Sequence, residues 1–240
     1  MKRSRRVGNY GVGVTGMAVL CAALVAIATP AHAQKVEVSA EAGYTGSEGI
    51  NSSESRPILG LQYNALDITS GSSYGFTFGV FATPNVEFEL LWHRQMSTLQ
   101  ASGPAGPLRL ADSNVDNIHG AFVYNWGESG AKFRPFFLGG LGVTRYLPGA
   151  LNPAITPVLS RTTIDSETRF STTWGGGVKF YPSKSVGLKA TMRWTPTYIK
   201  SDPGGMWCDP YYGGCWVVGD PDYSNQLEFS GGVTFRFGSH

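Results

Sequence analysis

Apolar and polar residues alternate along most of this chain with a period of two. Val36, Val38, Ala40, Ala42 and Tyr44 fall on one parity, and Glu37, Ser39 and Glu41 on the other. The pattern returns with Tyr74, Phe76, Phe78 and Val80, then with Val86, Phe88, Leu90 and Trp92, then with Ile118, Phe122, Tyr124 and Trp126. It continues with Phe170, Trp174, Val178 and Phe180, and with Leu188, Ala190, Met192 and Trp194. It closes with Leu227, Phe229, Val233, Phe235 and Phe237. Such alternation predicts strands with two chemically different faces. Residues 133–146 are apolar on both parities and predict an eighth strand of undecided facing. Each strand has roughly ten residues or more, enough to cross a bilayer when tilted.

The connections between these strands are sorted by length. Residues 83–85, 127–132 and 182–184 make short turns. Residues 45–73, 99–113, 147–167 and 200–224 make long connections, and short and long alternate throughout. Short turns on one side and long loops on the other are the habit of outer-membrane barrels. The predicted fold is therefore all-β: an eight-stranded antiparallel up-and-down transmembrane β-barrel, with short periplasmic turns and four long extracellular loops. An even strand count puts both ends of the barrel in the periplasm. The competing fold is a secreted, lipocalin-like barrel with an apolar interior.

Charge on the polar stripe supports the membrane barrel, while the sequence alone does not tell inside from outside. That stripe holds Glu37, Glu41, Glu87, Glu89 and Glu228 with Arg169, Lys179, Lys189, Arg193 and Arg236. Five acids and five bases pointing into a barrel are expected to form interior ion pairs, because an unpaired buried charge is very costly. Glu37 and Arg236, near the periplasmic ends of the first and last strands, are a natural pair. Eight strands enclose a space that side chains just fill, so the interior is predicted to be plugged. Trp126, Phe180, Phe235 and Phe237 near the short turns, and Tyr44, Tyr74, Trp194 and Tyr198 near the long loops, suggest two interfacial aromatic belts.

The first 33 residues read as an export label. Lys2, Arg3, Arg5 and Arg6 form a basic head, residues 17–28 are uniformly apolar, and Ala31-His32-Ala33 is a small-residue cleavage site. The expected organisation is a cleaved Sec signal peptide at 1–33 and an outer-membrane barrel domain at 34–240. Of 19 bases and 17 acids the label takes four bases and no acid, so the remainder carries 15 against 17 and a net charge of −2. That balance is no footprint for nucleic acid. Aromatics at 12% exclude a disordered chain, and 32 glycines argue against helical bundles. Cys208 and Cys215, in an exported loop, read as one disulfide.

The last strand, SGGVTFRF at residues 230–237, resembles the C-terminal assembly signal of bacterial outer-membrane barrels. Ser230, Gly232, Phe235 and Phe237 fit its four positions, although Gly238-Ser239-His240 follow where many members end. RPFFLGGLGV at residues 134–143 resembles a Pro-aromatic, Gly-x-Gly strand of small porin-family barrels. The whole chain beyond the signal resembles the eight-stranded OmpA/OmpX/OmpW-type proteins. The resemblance implies contact with the barrel-assembly machinery through the last strand, and with outer-membrane lipid and lipopolysaccharide.

Two non-enzymatic roles follow. One is a structural or surface-interaction barrel whose loops make the contacts, with Trp207, Tyr211, Tyr212 and Trp216 around the cysteines as a loop-tip binding surface for an extracellular ligand. The other is an OmpW-like conduit for small hydrophobic molecules, with Pro57, Ile58, Leu59, Leu61, Tyr63, Leu66 and Ile68 of the first loop lining its mouth, extending a hairpin or capping the barrel. A lipid-modifying enzyme ranks behind both. His93 and His119 lack the nearby Ser of the lipid A deacylase pattern, and the first loop has no His for a palmitoyl-transferase pattern. No catalytic residue, cofactor or metal ligand is assigned, and a monomer is expected. Arg94 has lipid-facing parity and is a candidate contact for lipopolysaccharide phosphates.

Overall fold

The computed structural model describes residues 35–48, 50–58, 61–104, 106–128, 130–153, 166–198, 208–209, 214–215 and 223–238. The expected signal peptide at 1–33 and the loop aromatics Trp207, Tyr211, Tyr212 and Trp216 lie outside the described residues.

Among the described residues twelve strands follow in chain order: β1 (Val36–Ser47), β2 (Ile50–Ile58), β3 (Leu61–Ile68), β4 (Gly71–Phe81), β5 (Val86–Ser102), β6 (Leu108–Asn125), β7 (Phe133–Leu151), β8 (Glu167–Phe180), β9 (Val186–Tyr198), β10 (Cys208–Asp209), β11 (Gly214–Cys215) and β12 (Tyr223–Phe237). Eight of them, β1, β4, β5, β6, β7, β8, β9 and β12, pair antiparallel with their neighbours in a closed ring, shut by β1 on β12. The closure runs from Val36↔Phe237 to Ser47↔Gln226 without a register shift.

The faces are inverted relative to a water-soluble protein. Leu141 is 61% exposed and Phe88 58%, whereas Lys179 and Glu87 are fully buried. The apolar stripe therefore faces outward and the charged stripe inward, which rules out the lipocalin-like alternative. Both aromatic belts are on the outer surface, with Tyr44, Tyr74, Trp194 and Tyr198 toward the loops and Trp126, Phe180, Phe235 and Phe237 toward the turns. β7 also resolves its own facing: Arg134, Phe136, Leu138, Thr144 and Tyr146 are buried inside, while Phe133, Phe137 and Leu141 point out.

Two of the long connections are built largely from strand. β5 and β6 stay paired out to Ala101↔Leu108, so the second connection shrinks to residues 103–107. β5 thereby climbs past the start of β4 and would leave an open edge. β3 fills that edge, from Ile68↔Leu99 to Ala65↔Ser102, and β2 folds back on β3. Of the three roles considered for the first loop, the backbone adopts the hairpin. The physical cause is the unpaired N–H and C=O groups of β5, which recruit the nearest chain. At the other end, Asn85 Nδ2 donates to the carbonyls of Asn125 (2.6 Å) and Gly127 (2.8 Å), tying two short turns together.

Gly232 is set by the closing seam. A Cβ there would lie 2.0 Å from the Ala40 carbonyl oxygen, whereas at Gly231 the nearest atom is 3.9 Å away. Gly232→Val is expected to destabilise closure by at least about 1–3 kcal/mol. On unboiled gels the fast-migrating folded form should fall for Gly232→Val and persist for Gly231→Val.

Candidate functional site

The barrel interior is where the sequence concentrates its chemistry, and the strands stack it in layers. At the periplasmic floor, Lys179 Nζ on β8 donates to Glu37 Oε2 on β1 and Glu87 Oε2 on β5, both at 2.6 Å. Arg236 on β12 reaches the other oxygen of Glu37, with Nη2 at 2.7 Å. Tyr181 donates to the same Glu37 Oε1 at 2.5 Å, and the Arg236 guanidinium covers the Tyr181 ring at 3.9 Å. The Asn125 amide donates to Glu87 at 3.1 Å.

Phe136 on β7 projects inward just above this floor. Its ring centroid lies 5.6 Å from Lys179 Nζ and 5.5 Å from Lys189 Nζ, so one aromatic ring stands between two ammonium groups. Above it, Lys189 Nζ lies 3.0 Å from Glu41 Oε1 and 2.9 Å from Glu89 Oε2. Arg193 Nη2 lies 3.4 Å from Glu41 and 3.7 Å from Glu228, and His93 Nδ1 lies 3.0 Å from Glu228. Ser230 donates to Glu41 at 2.9 Å.

The next layer is uncharged. Thr144 donates to Asn117 (2.7 Å) and shares a hydrogen bond with Ser171 (2.9 Å), while Asn117 donates to Gln226 (2.9 Å) and Gln95 to Ser47 (3.0 Å). Above it, Tyr63, Ile68, Leu99, Ala101, Leu110, Val115 and Tyr146 form a buried apolar cluster at the loop-side mouth.

Nine of the ten candidate ion-pair residues come together in the two charged layers. Arg169 does not: it pairs with Glu167 near the rim. Its place inside is taken by Arg134, which is 1% exposed and donates to the Pro84 carbonyl at 2.8 Å. Sequence reasoning missed Arg134 because its strand is apolar on both parities. The usable signal was the charge itself, since a lone Arg in such a strand must face the polar lumen. Tyr181 was missed because it follows the strand end. The interior thus holds Glu37, Glu41, Glu87, Glu89 and Glu228 against Arg134, Lys179, Lys189, Arg193 and Arg236.

Also unforeseen is the approach of His119 Nε2 to Ser171 Oγ, at 2.9 Å. The serine oxygen is shared with Thr144, and His119 Nδ1 has no partner among the described residues. An activated nucleophile would need that nitrogen oriented by a third group. Arg94 points outward, and its guanidinium is held by Asp116 at 2.6 and 2.7 Å. In the last loop, the backbones of Cys208 and Cys215 lie opposite each other in the two-residue ladder of β10 and β11. Phe235 and Phe237 face outward, while Ser230 and Gly232 have inward parity.

The sequence matches the outer membrane protein beta-barrel domain over residues 17–237. The chain belongs to that family. Its place is accordingly the bacterial outer membrane. Among proteins of curated function, none matches the sequence. Among solved structures, this outer-membrane barrel resembles OprG from Pseudomonas aeruginosa, at 13% identity and TM-score 0.59, with 86% of this chain and 97% of that one covered. It also resembles neisserial surface protein A, at 15% identity and TM-score 0.52, over 84% of this chain and 97% of the other. At these identities the likeness is one of fold.

Because Lys179 separates two carboxylates, its removal leaves Glu37 and Glu87 buried with less cationic compensation. Lys179→Met is expected to lower unfolding stability by about 3–5 kcal/mol. Urea titration of the barrel in lipid vesicles measures it, and Arg169→Met, at the rim, should give a smaller loss.

Proposed function

We propose that this protein is a non-enzymatic outer-membrane barrel of structural and surface-interaction type, closed to bulk solute and working through its extracellular loops. The observation that carries the reading is the pair of charged layers across the lumen, with Phe136 between them. Every interior carboxylate there faces at least one base or His. Opening a wide path would separate those pairs in a low-dielectric interior, which is strongly unfavourable.

The loops then carry the contacts. Trp207, Tyr211, Tyr212 and Trp216 supply rigid aromatic area around Cys208 and Cys215, whose opposed backbones support a disulfide staple. Residues 1–33 act as a cleaved signal, and the final strand, with outward Phe235 and Phe237, engages the assembly machinery. The barrel functions as a monomer.

A conduit for small hydrophobic molecules is the second reading. It is favoured by the apolar cluster at the mouth, where Leu99, Ala101, Leu110 and Val115 sit above the polar layers.

Planar-bilayer recording of the purified protein should give no steady conductance of general-porin size; such conductance would overturn the closed barrel. Loss of growth on a hydrophobic substrate in a deletion strain, with adhesion intact, would favour the conduit over the loop reading. Non-reducing peptide mapping is expected to recover Cys208 and Cys215 in one linked peptide.

A further inference from the structure

One seam shuts the ring, and the inner face of that seam is tied at a single acid. Glu37 on β1 is the register partner of Arg236 on β12. Arg236 Nε donates to Glu37 Oε1 at 2.8 Å, and its Nη2 lies 2.7 Å from the same oxygen. Tyr181, the residue after β8, donates to that oxygen at 2.5 Å. Lys179 Nζ donates to Glu37 Oε2 at 2.6 Å from across the lumen. Three side chains thus converge on one carboxylate that is 2% exposed.

Tyr181 is itself seated by neighbouring strands. A Cβ at Gly187 on β9 would lie 2.7 Å from Tyr181 Cδ1, so the ring fills the place of a side chain there. The Arg236 guanidinium carbon stands 3.9 Å from the ring centroid. The Tyr181 backbone N–H donates to the Lys132 carbonyl at 2.7 Å. The ring is therefore a fixed post, and both strands of the seam meet it.

Side chains repeat every two residues along a strand, so the smallest slip of β1 on β12 that keeps the charges inward is two residues. One such slip sets Glu37 opposite Thr234 and Lys35 opposite Arg236. The other sets Ser39 opposite Arg236 and Glu37 opposite Gly238, beyond the end of β12. Neither puts a base opposite Glu37, and the first brings two bases face to face, which is unfavourable. Both part Ser39 from Thr234, whose hydroxyls bond at 2.9 Å. Either slip also carries Glu37 along its strand by about 7 Å, away from Lys179 and Tyr181. In a closed ring the stagger is linked to strand tilt and diameter, so the choice of register at the seam is a choice of barrel.

We infer that Glu37, Arg236 and Tyr181, held from across the lumen by Lys179, form a register lock. The lock selects the stagger at which β1 closes on β12, and through it the barrel diameter and the pairing of the charged layers. Arg236 and Tyr181 are its positioning residues. It works alike whether the lumen conducts or is closed, so its failure and that of the closed-barrel reading are separate outcomes.

The test locates the seam with paired cysteines in the full-length protein, folded in outer membranes, with Cys208→Ser and Cys215→Ser to remove the loop thiols. Ala40→Cys with Val233→Cys joins register partners and reports native closure. Ala40→Cys with Gly231→Cys, and Ala40→Cys with Phe235→Cys, report the two slips. In the native register those pairs are diagonal, roughly 7–8 Å apart and beyond disulfide reach. Peptide mapping by mass spectrometry identifies each cross-link. Without further change the native cross-link should form almost alone. Arg236→Met should raise the ratio of slipped to native cross-link about tenfold or more, the effect of losing a charge-assisted hydrogen bond. Tyr181→Phe keeps the ring and loses one hydrogen bond, and should raise the ratio by less. Arg236→Lys keeps the charge and should stay closer to the native ratio than Arg236→Met. Arg134→Met removes a buried base that bonds the Pro84 carbonyl away from the seam, and should leave the ratio unchanged. Native cross-linking alone in folded Arg236→Met overturns the lock, since the register would then be set without it. An equal rise in Arg134→Met overturns it too, by reducing the effect to general loosening. Heat-shifted gel migration shows which variants fold. If Arg236→Met does not, Tyr181→Phe and Arg236→Lys decide, and unchanged ratios in both overturn the lock.

Discussion

Backbone polarity in hydrocarbon is the constraint on which this molecule depends. Inside a bilayer no water is present to satisfy an open N–H or C=O group, so a sheet that spans it must close on itself. β1 meets β12 along its whole length, and that seam removes the last open edge. Closure then decides everything about the faces. With lipid outside, the alternating chain must turn Phe, Leu and Trp outward and fold its charges into the lumen. The same demand continues above the membrane, where the extended edge of β5 takes up the β2–β3 hairpin.

Folding charges inward creates a second problem, which the interior solves by layering. Lys179 and Lys189 each bridge two carboxylates donated from different strands. Arg236, the register partner of Glu37 across the closing seam, and Arg193 on β9 complete the same acids. These contacts join β1, β5, β8, β9 and β12 across the lumen, so they brace the barrel while filling it. Phe136 and its neighbours Val123 and Leu138 supply the apolar material between the layers.

Much of this was legible in the chain. Period-two alternation gave seven of the eight barrel strands and an apolar run gave the eighth, loop lengths gave their sense, and the shared charged face and the Glu37–Arg236 contact followed from parity. Three things were not legible. The facing of β7 was hidden because its two parities are equally apolar, and with it Arg134 and Phe136. The continuation of β5 and β6 beyond the membrane was hidden because Gly, Pro and Ser near the turn read as loop. Arg94 was read as a lone charge, because the acid that holds it, Asp116, lies 22 residues away in sequence.

The sequence by itself determined the strand count, the order of short and long connections, and which residues share a face. Those are local properties, fixed by a repeat of two residues and by chain length. Only the tertiary structure decided which charge meets which. Ion pairing across a lumen joins residues as distant as Glu37 and Lys179, and depends on the stagger of strands around the ring. Register is a property of the closed barrel, since each strand is positioned by neighbours on both sides, and no single strand contains it.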